Sequence, residues 1–108
     1  MNYKIEKNTV QETLIIPLYA RKMCAEVYPS LYRDETALRL VNAVDYNFSA
    51  FQKKSHRLMQ RFGFLEVAMR QNDLAFEVRE YLKSHPNAAV VNLGCGLDST
   101  GRACDNGK

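Results

Sequence analysis

Val90-Val91-Asn92-Leu93-Gly94-Cys95-Gly96-Leu97-Asp98 is a short apolar run that breaks into two glycines around one small residue and then meets an acid. A buried strand delivered into a glycine turn is the opening of a nucleotide-binding α/β fold. Glycines there let backbone amides approach a ligand that any Cβ would hold off. Taken alone, Gly-x-Gly fits a plain strand-ending turn equally well. A dinucleotide site calls for a third glycine and a helix N-terminus free to hold pyrophosphate. Here Asp98 stands two residues after the second glycine, where a fixed negative charge would repel phosphate. The position suits a ligand that lacks phosphate and carries positive charge.

S-adenosylmethionine, with its sulfonium and its ammonium, meets both conditions. Val90 to Ser99 also resembles the first motif of the leucine carboxyl methyltransferase family, which includes polyketide O-methyltransferases. Three further segments are similar to that family: Val10-Gln11-Glu12-Thr13-Leu14-Ile15-Ile16-Pro17-Leu18-Tyr19-Ala20-Arg21, Asp45-Tyr46-Asn47-Phe48-Ser49 and Ala68-Met69-Arg70. The likeness therefore runs over essentially the whole chain.

The resemblance implies an α/β protein of the class I methyltransferase type. Residues 1–87 would form a helical cap, and residues 88–108 the first strand and glycine-rich cofactor loop of a Rossmann-like domain, so that these 108 residues are mostly helical. It implies S-adenosylmethionine as cofactor and O-methyl transfer to a carboxylate or phenolic oxygen of a small molecule or polyketide. Gly94 and Gly96 would approach the donor's amino-acid and ribose portion, with Cys95 as a small side chain beside it. Arg70 aligns with an arginine that reaches the donor's carboxylate, a pairing that guanidinium geometry favours. Asp98 either meets the positive end of the ligand or caps the following helix. Tyr19 either lines a substrate pocket or belongs to the core. Two departures stand out: Asn72 where the family often has a second arginine, and Ser99-Thr100-Gly101 ahead of Arg102 where an arginine commonly follows at once. No residue offers itself as a catalytic base.

At 108 residues the chain is short for a complete doubly wound sheet. The expectation is therefore a fragment or shortened relative that is inactive by itself. The alternative is a non-catalytic, self-associating helical module derived from such an enzyme. A single strand leaves its backbone groups unsatisfied, so the strand is expected to pair with a second copy, or else the region turns helical or disordered.

Fifteen Lys and Arg against 12 acids give a net charge of +3, spread along the chain. Nucleic-acid binding asks for a concentrated basic stripe. Lys53-Lys54-Ser55-His56-Arg57 with Arg61 comes nearest, and its aromatic neighbours Phe51 and Phe62 fit helix anchors better than stacking platforms. Cys24, Cys95 and Cys104 show no metal or redox spacing, His56 and His85 lack ligand partners, and no metal is expected. Free thiols without an apolar leader point to the cytoplasm, and Leu14 to Ala20 is far too short to cross a bilayer.

In chain order, Thr9 and Glu12 fit a capping box opening a helix over 10–27, with a kink or break at Pro17 and an end at Pro29. Asp34 can cap a helix carrying Leu38, Val41 and Val44. Ser49 can cap another, in which Leu58, Phe62, Leu65 and Met69 share a face. Asn72 or Asp73 would start a fourth, with Leu74, Val78, Tyr81 and Leu82 inward, ending at Ser84-His85-Pro86. Residues 1–8 and 99–108 read as loose.

Overall fold

The computed structural model describes residues 3–55 and 58–108. The chain enters its first helix through Asn8, whose left-handed φ of 61° an asparagine tolerates. That turn brings the Asn8 amide, rather than that of Thr9, to Glu12, which accepts it at 2.7 Å. The capping box is thus displaced by one residue, and the Thr9 hydroxyl donates backward to the Glu6 carbonyl. The other Glu12 oxygen accepts the Tyr46 hydroxyl at 2.6 Å, tying the entrance to the segment after residue 45. The Tyr46 bond first, then that from Asn8, holds the Glu12 carboxyl below its usual range.

Helix α1 (Val10–Thr13) is one turn long and gives way at Leu14 to α2 (Ile15–Val27). The break falls three residues ahead of Pro17, which places the proline in the first turn of α2, where a missing N–H leaves no bond unmade. Asp34 caps α3 (Glu35–Ala43) as expected, accepting the Ala37 N–H at 2.8 Å. Tyr3–Lys4 (β1) and Val44–Asp45 (β2) form a short parallel ladder, Tyr3 opposite Val44 and Lys4 opposite Asp45. Tyr3 and Lys4, within a stretch expected to be loose, are therefore held by pairing. Two more helices follow, α4 (Ser49–Ser55) and α5 (Leu58–Ser84). Lys54 lies within α4, and His56 and Arg57 lie outside the described residues.

Helix α5 does not restart at Asn72 or Asp73. Ala68, Ala75 and Leu82, all buried, lie seven residues apart and stay in phase along one stripe, so uninterrupted packing outweighs the local capping preference. Small side chains on that stripe let α2 and the last helix approach closely. The stripe also leaves Phe62 and Tyr81 outside, at 61% and 58% exposure, although both sit at expected inward positions. Phe64, Leu65 and Met69 pack instead against Cys24, Tyr32 and Ala68. A second cluster gathers Leu18, Ala37 and Val41, and a third Ala75, Leu82 and Cys104.

Two expectations about the C-terminal region are corrected. Residues 88–93 do not form a strand: they run without regular pairing, and Val90, Val91 and Leu93 stand exposed, Leu93 at 88%. A strand needs a neighbour to accept its ladder bonds, and β1 and β2 pair only with each other among the described residues. Conversely, part of the stretch expected to be loose forms α6 (Thr100–Cys104), which packs on α5 through Cys104. The radius of gyration is 15.0 Å, against about 13 Å for a compact domain of this size. Three small clusters and an exposed apolar segment explain that looseness.

Candidate functional site

The N-terminal end of α2, the middle of α5 and the loop after Leu93 enclose a cleft of about 670 Å³, well within the about 300–1,000 Å³ of small-molecule sites. Leu14, Pro17, Leu18 and Arg21 line it from one side, Val67, Arg70, Gln71, Asp73 and Leu74 from another, and Gly94, Cys95, Leu97, Asp98 and Thr100 from the third.

Glycine is required twice in the loop. Gly94 and Gly96 have φ of 63° and 53°, a region that side chains avoid. At Gly96 there is a second reason, since a Cβ would meet Leu14 Cδ2 at 2.9 Å, so the turn lies directly against the head of α2. The turn closes with the Asp98 amide donating to the Cys95 carbonyl at 2.8 Å.

Asp98 anchors the end of this loop. Its Oδ1 accepts the Thr100 N–H at 3.1 Å and hydroxyl at 2.9 Å, and its Oδ2 accepts the Asn92 amide at 2.8 Å. These bonds hold the turn that leads into α6, whose N-cap position is Ser99. Burial works against its charge, but the bonds from Asn92, Thr100 and Ser99 prevail and hold the carboxyl below its usual value.

Beneath the loop lies a network anchored on Arg21. This arginine is 3% exposed and donates Nε to Asp34 Oδ2 at 2.8 Å and Nη1 to the Leu97 carbonyl at 2.8 Å; Nη2 reaches Ser99 Oγ at a longer 3.4 Å. Tyr32 donates its hydroxyl to the same Asp34 oxygen at 2.7 Å, and Gln71 of α5 reaches Ser99 Oγ at 2.9 Å. Burial and then the Asp34 bond push the Tyr32 hydroxyl well above its ordinary value. One buried guanidinium therefore joins α2, the α3 cap and the glycine loop. Sequence reasoning placed Arg21 on the first helix but gave it no such role. The signal was present: Leu14, Leu18 and Arg21 share a helical face, and a charge on an apolar stripe demands a buried partner.

The structure brings Arg70, Gly94, Cys95 and Asp98 to one cleft, with Gly96 directly behind it against Leu14. Tyr19 is not among them. It is buried in an aromatic cluster, stacked on Phe48 at 5.4 Å and beside Phe51 and Phe64, because its position on α2 faces α4 and α5 rather than the cleft. His85 stacks on Tyr81 at the surface. Burial pushes the Cys24 thiol up to about 11, whereas Cys95 is exposed at the cleft. No cluster of three metal-binding side chains occurs among the described residues, and none of their helices is long and apolar enough to cross a membrane.

The proteins this chain is similar to are methyltransferases. It is 31% identical over 99 residues, 92% of its length, to the tetracenomycin polyketide synthesis O-methyltransferase TcmP of Streptomyces glaucescens. It is 30% identical over 100 residues to the S-adenosyl-L-methionine-dependent methyltransferase dpfgK of Gibberella zeae, covering 89% of this chain. The chain spans about a third of the length of these curated relatives, 34% and 33% respectively. No family model matches it, and no solved structure matches it with significance.

Proposed function

We propose that this chain carries the S-adenosylmethionine site of an O-methyltransferase whose acceptor is a carboxylate or phenolic oxygen of a small molecule or polyketide. The observation that carries the reading is the convergence of three distant segments on one cleft. Two left-handed glycines, an Arg70 unpaired among the described residues and a loop clamped from below by Arg21 meet there. The relatives support the reaction class, and the resemblance of residues 90–99 supports the assignment of the loop. With it goes a Rossmann-like domain around the glycine loop. Three unpaired cysteines fit a reducing, cytoplasmic setting.

The residues present suit the cofactor. Arg70 has no hydrogen-bond or ion-pair partner among the described residues, so its planar fork is available for a carboxylate. Gly94 leaves open space where a Cβ would stand, and so allows close approach to the backbone. S-adenosylmethionine supplies an electrophilic methyl carbon, which an acceptor oxygen takes as the carbon–sulfur bond breaks and its electrons return to sulfur. The part of this chain is to bind and orient the donor, which converts an encounter into a positioned reaction. A carboxylate acceptor needs no base; a phenol would need one, and the Asp98 oxygens already accept hydrogen bonds from Asn92 and Thr100.

Calorimetric titration of S-adenosylmethionine tests the reading. Saturable binding is expected, and Arg70→Ala should weaken it about 10- to 100-fold, since a hydrogen bond to a charged group contributes about 1.5–3 kcal/mol. Unchanged affinity would remove Arg70 from the site. A second reading, a self-associating helical module, is favoured by the exposure of Val90, Val91 and Leu93. It predicts a folded, concentration-dependent oligomer by light scattering, with no heat of binding in the same sample.

A further inference from the structure

Four charged side chains line the cleft, and two of them, Arg21 and Asp98, already have hydrogen-bond partners within the protein. Arg21 is held by Asp34, the Leu97 carbonyl and Ser99, and Asp98 by Asn92 and Thr100. Arg70 and Asp73 remain. They lie three residues apart on α5, one turn of the same face, and both are exposed in the cleft. Among the described residues the ion pairs are Arg21 with Asp34, Lys22 with Glu26 and Lys83 with Glu80, so Arg70 and Asp73 pair neither with each other nor elsewhere. A basic residue preceding an acidic one is the less favourable order along a helix, which fits their separation. The cleft thus presents one positive and one negative group, unengaged and about a helical turn apart, to whatever enters.

That pattern complements a ligand carrying both charges close together. We propose that Asp73 is the counter-ion for the α-ammonium of the bound ligand while Arg70 takes its α-carboxylate, so that the pair selects ligands with an intact amino-acid end. The inference rests on the reading of the cleft as an S-adenosylmethionine site, and it gives that site an orientation. The amino-acid end lies along α5 at residues 70–73, leaving the rest of the ligand toward Gly94 and Cys95. Asp73 is a specificity residue here, since neutral analogues of the same adenosine would gain nothing from it.

The test compares two probes on the full chain, S-adenosylmethionine and 5′-methylthioadenosine, which keeps the thioadenosine portion and lacks the amino-acid end. Asp73→Asn should weaken S-adenosylmethionine about tenfold, the scale of one charge-assisted bond, and leave 5′-methylthioadenosine unchanged. Asp73→Glu, which restores the charge, should recover most of the loss. Asp73 is exposed, and circular dichroism of the variants should match the wild type. Equal weakening of both probes, or no change in either, overturns the role of Asp73 while leaving the cleft as the cofactor site. Absence of S-adenosylmethionine binding by the folded wild type overturns the reading of the cleft itself, and this inference with it.

Discussion

Arg21→Ala is expected to destabilise the folded chain by about 3–5 kcal/mol, the cost of stranding a buried charge whose partner has been removed. Asp34 would keep the Tyr32 hydroxyl and the Ala37 amide but lose the Arg21 guanidinium, while the Leu97 carbonyl would lose its donor. Small domains are stable by only about 5–15 kcal/mol, so the variant should unfold at markedly lower denaturant concentration. Arg21→Lys should fall between, because an ammonium keeps the charge but cannot hold Asp34 and Leu97 through one planar fork. Asp34→Asn should also destabilise, since it leaves the buried Arg21 guanidinium without its carboxylate even where the amide oxygen still caps α3. Acid titration gives an independent check. Burial of Asp34 opposes its charge, but the bonds from Arg21, Tyr32 and Ala37 outweigh it and leave the folded pKa lowered. Its stabilisation is therefore complete above the unfolded carboxylate value of about 3.9 and is lost as pH falls through the lower folded value. Asp98 acts with the same sign. Arg21→Ala should flatten this acid dependence without abolishing it; an unaltered acid profile would mean that the pair does not hold the fold.

Tyr19→Ala is expected to cost about 3–5 kcal/mol, as large aromatic truncations in a core do. The ring is 2% exposed, stacks on Phe48 with an interplanar angle of 16°, and meets Phe64 edge-on at 6.0 Å. Its loss would open a void between α2, α4 and α5 that the stiff neighbouring rings cannot fill. A substrate-lining tyrosine behaves differently: its truncation lowers turnover and leaves the unfolding midpoint in place. Urea denaturation separates the two, and an unchanged midpoint would return Tyr19 to the list of pocket candidates.

Local signals were legible wherever local chemistry decides the outcome. Asp34 caps, α2 stops just before Pro29, α5 ends at Ser84, and the glycines turn with positive φ. Arg70, Gly94, Cys95 and Asp98, singled out through the likeness rather than through spacing, line one cleft. What failed depends on partners distant in the chain. Residues 88–93 have the composition of a strand, but a strand exists only beside another, and here Val91 is 77% exposed. Asn72 and Asp73 look like a helix start, yet the Ala68, Ala75 and Leu82 stripe carries α5 through them. Thr100 to Cys104 looked too polar to order, but Asp98 accepts the Thr100 amide and hydroxyl and Cys104 buries its sulfur 3.5 Å from the Ala75 carbonyl. The Arg21 network escaped for the same reason, since its acceptors Leu97 and Ser99 lie 76 and 78 residues away.

The claim that the glycine loop and α5 together form the cofactor site is tested most directly by mapping backbone amide shifts as S-adenosylmethionine is added to isotope-labelled chain. The account predicts saturable shifts at Gly94, Cys95, Leu97, Arg70 and Asp73, with Tyr81 at the far end of α5 and His85 just beyond it unmoved. A folded spectrum that does not change, or saturable shifts confined to residues away from the cleft, would contradict it.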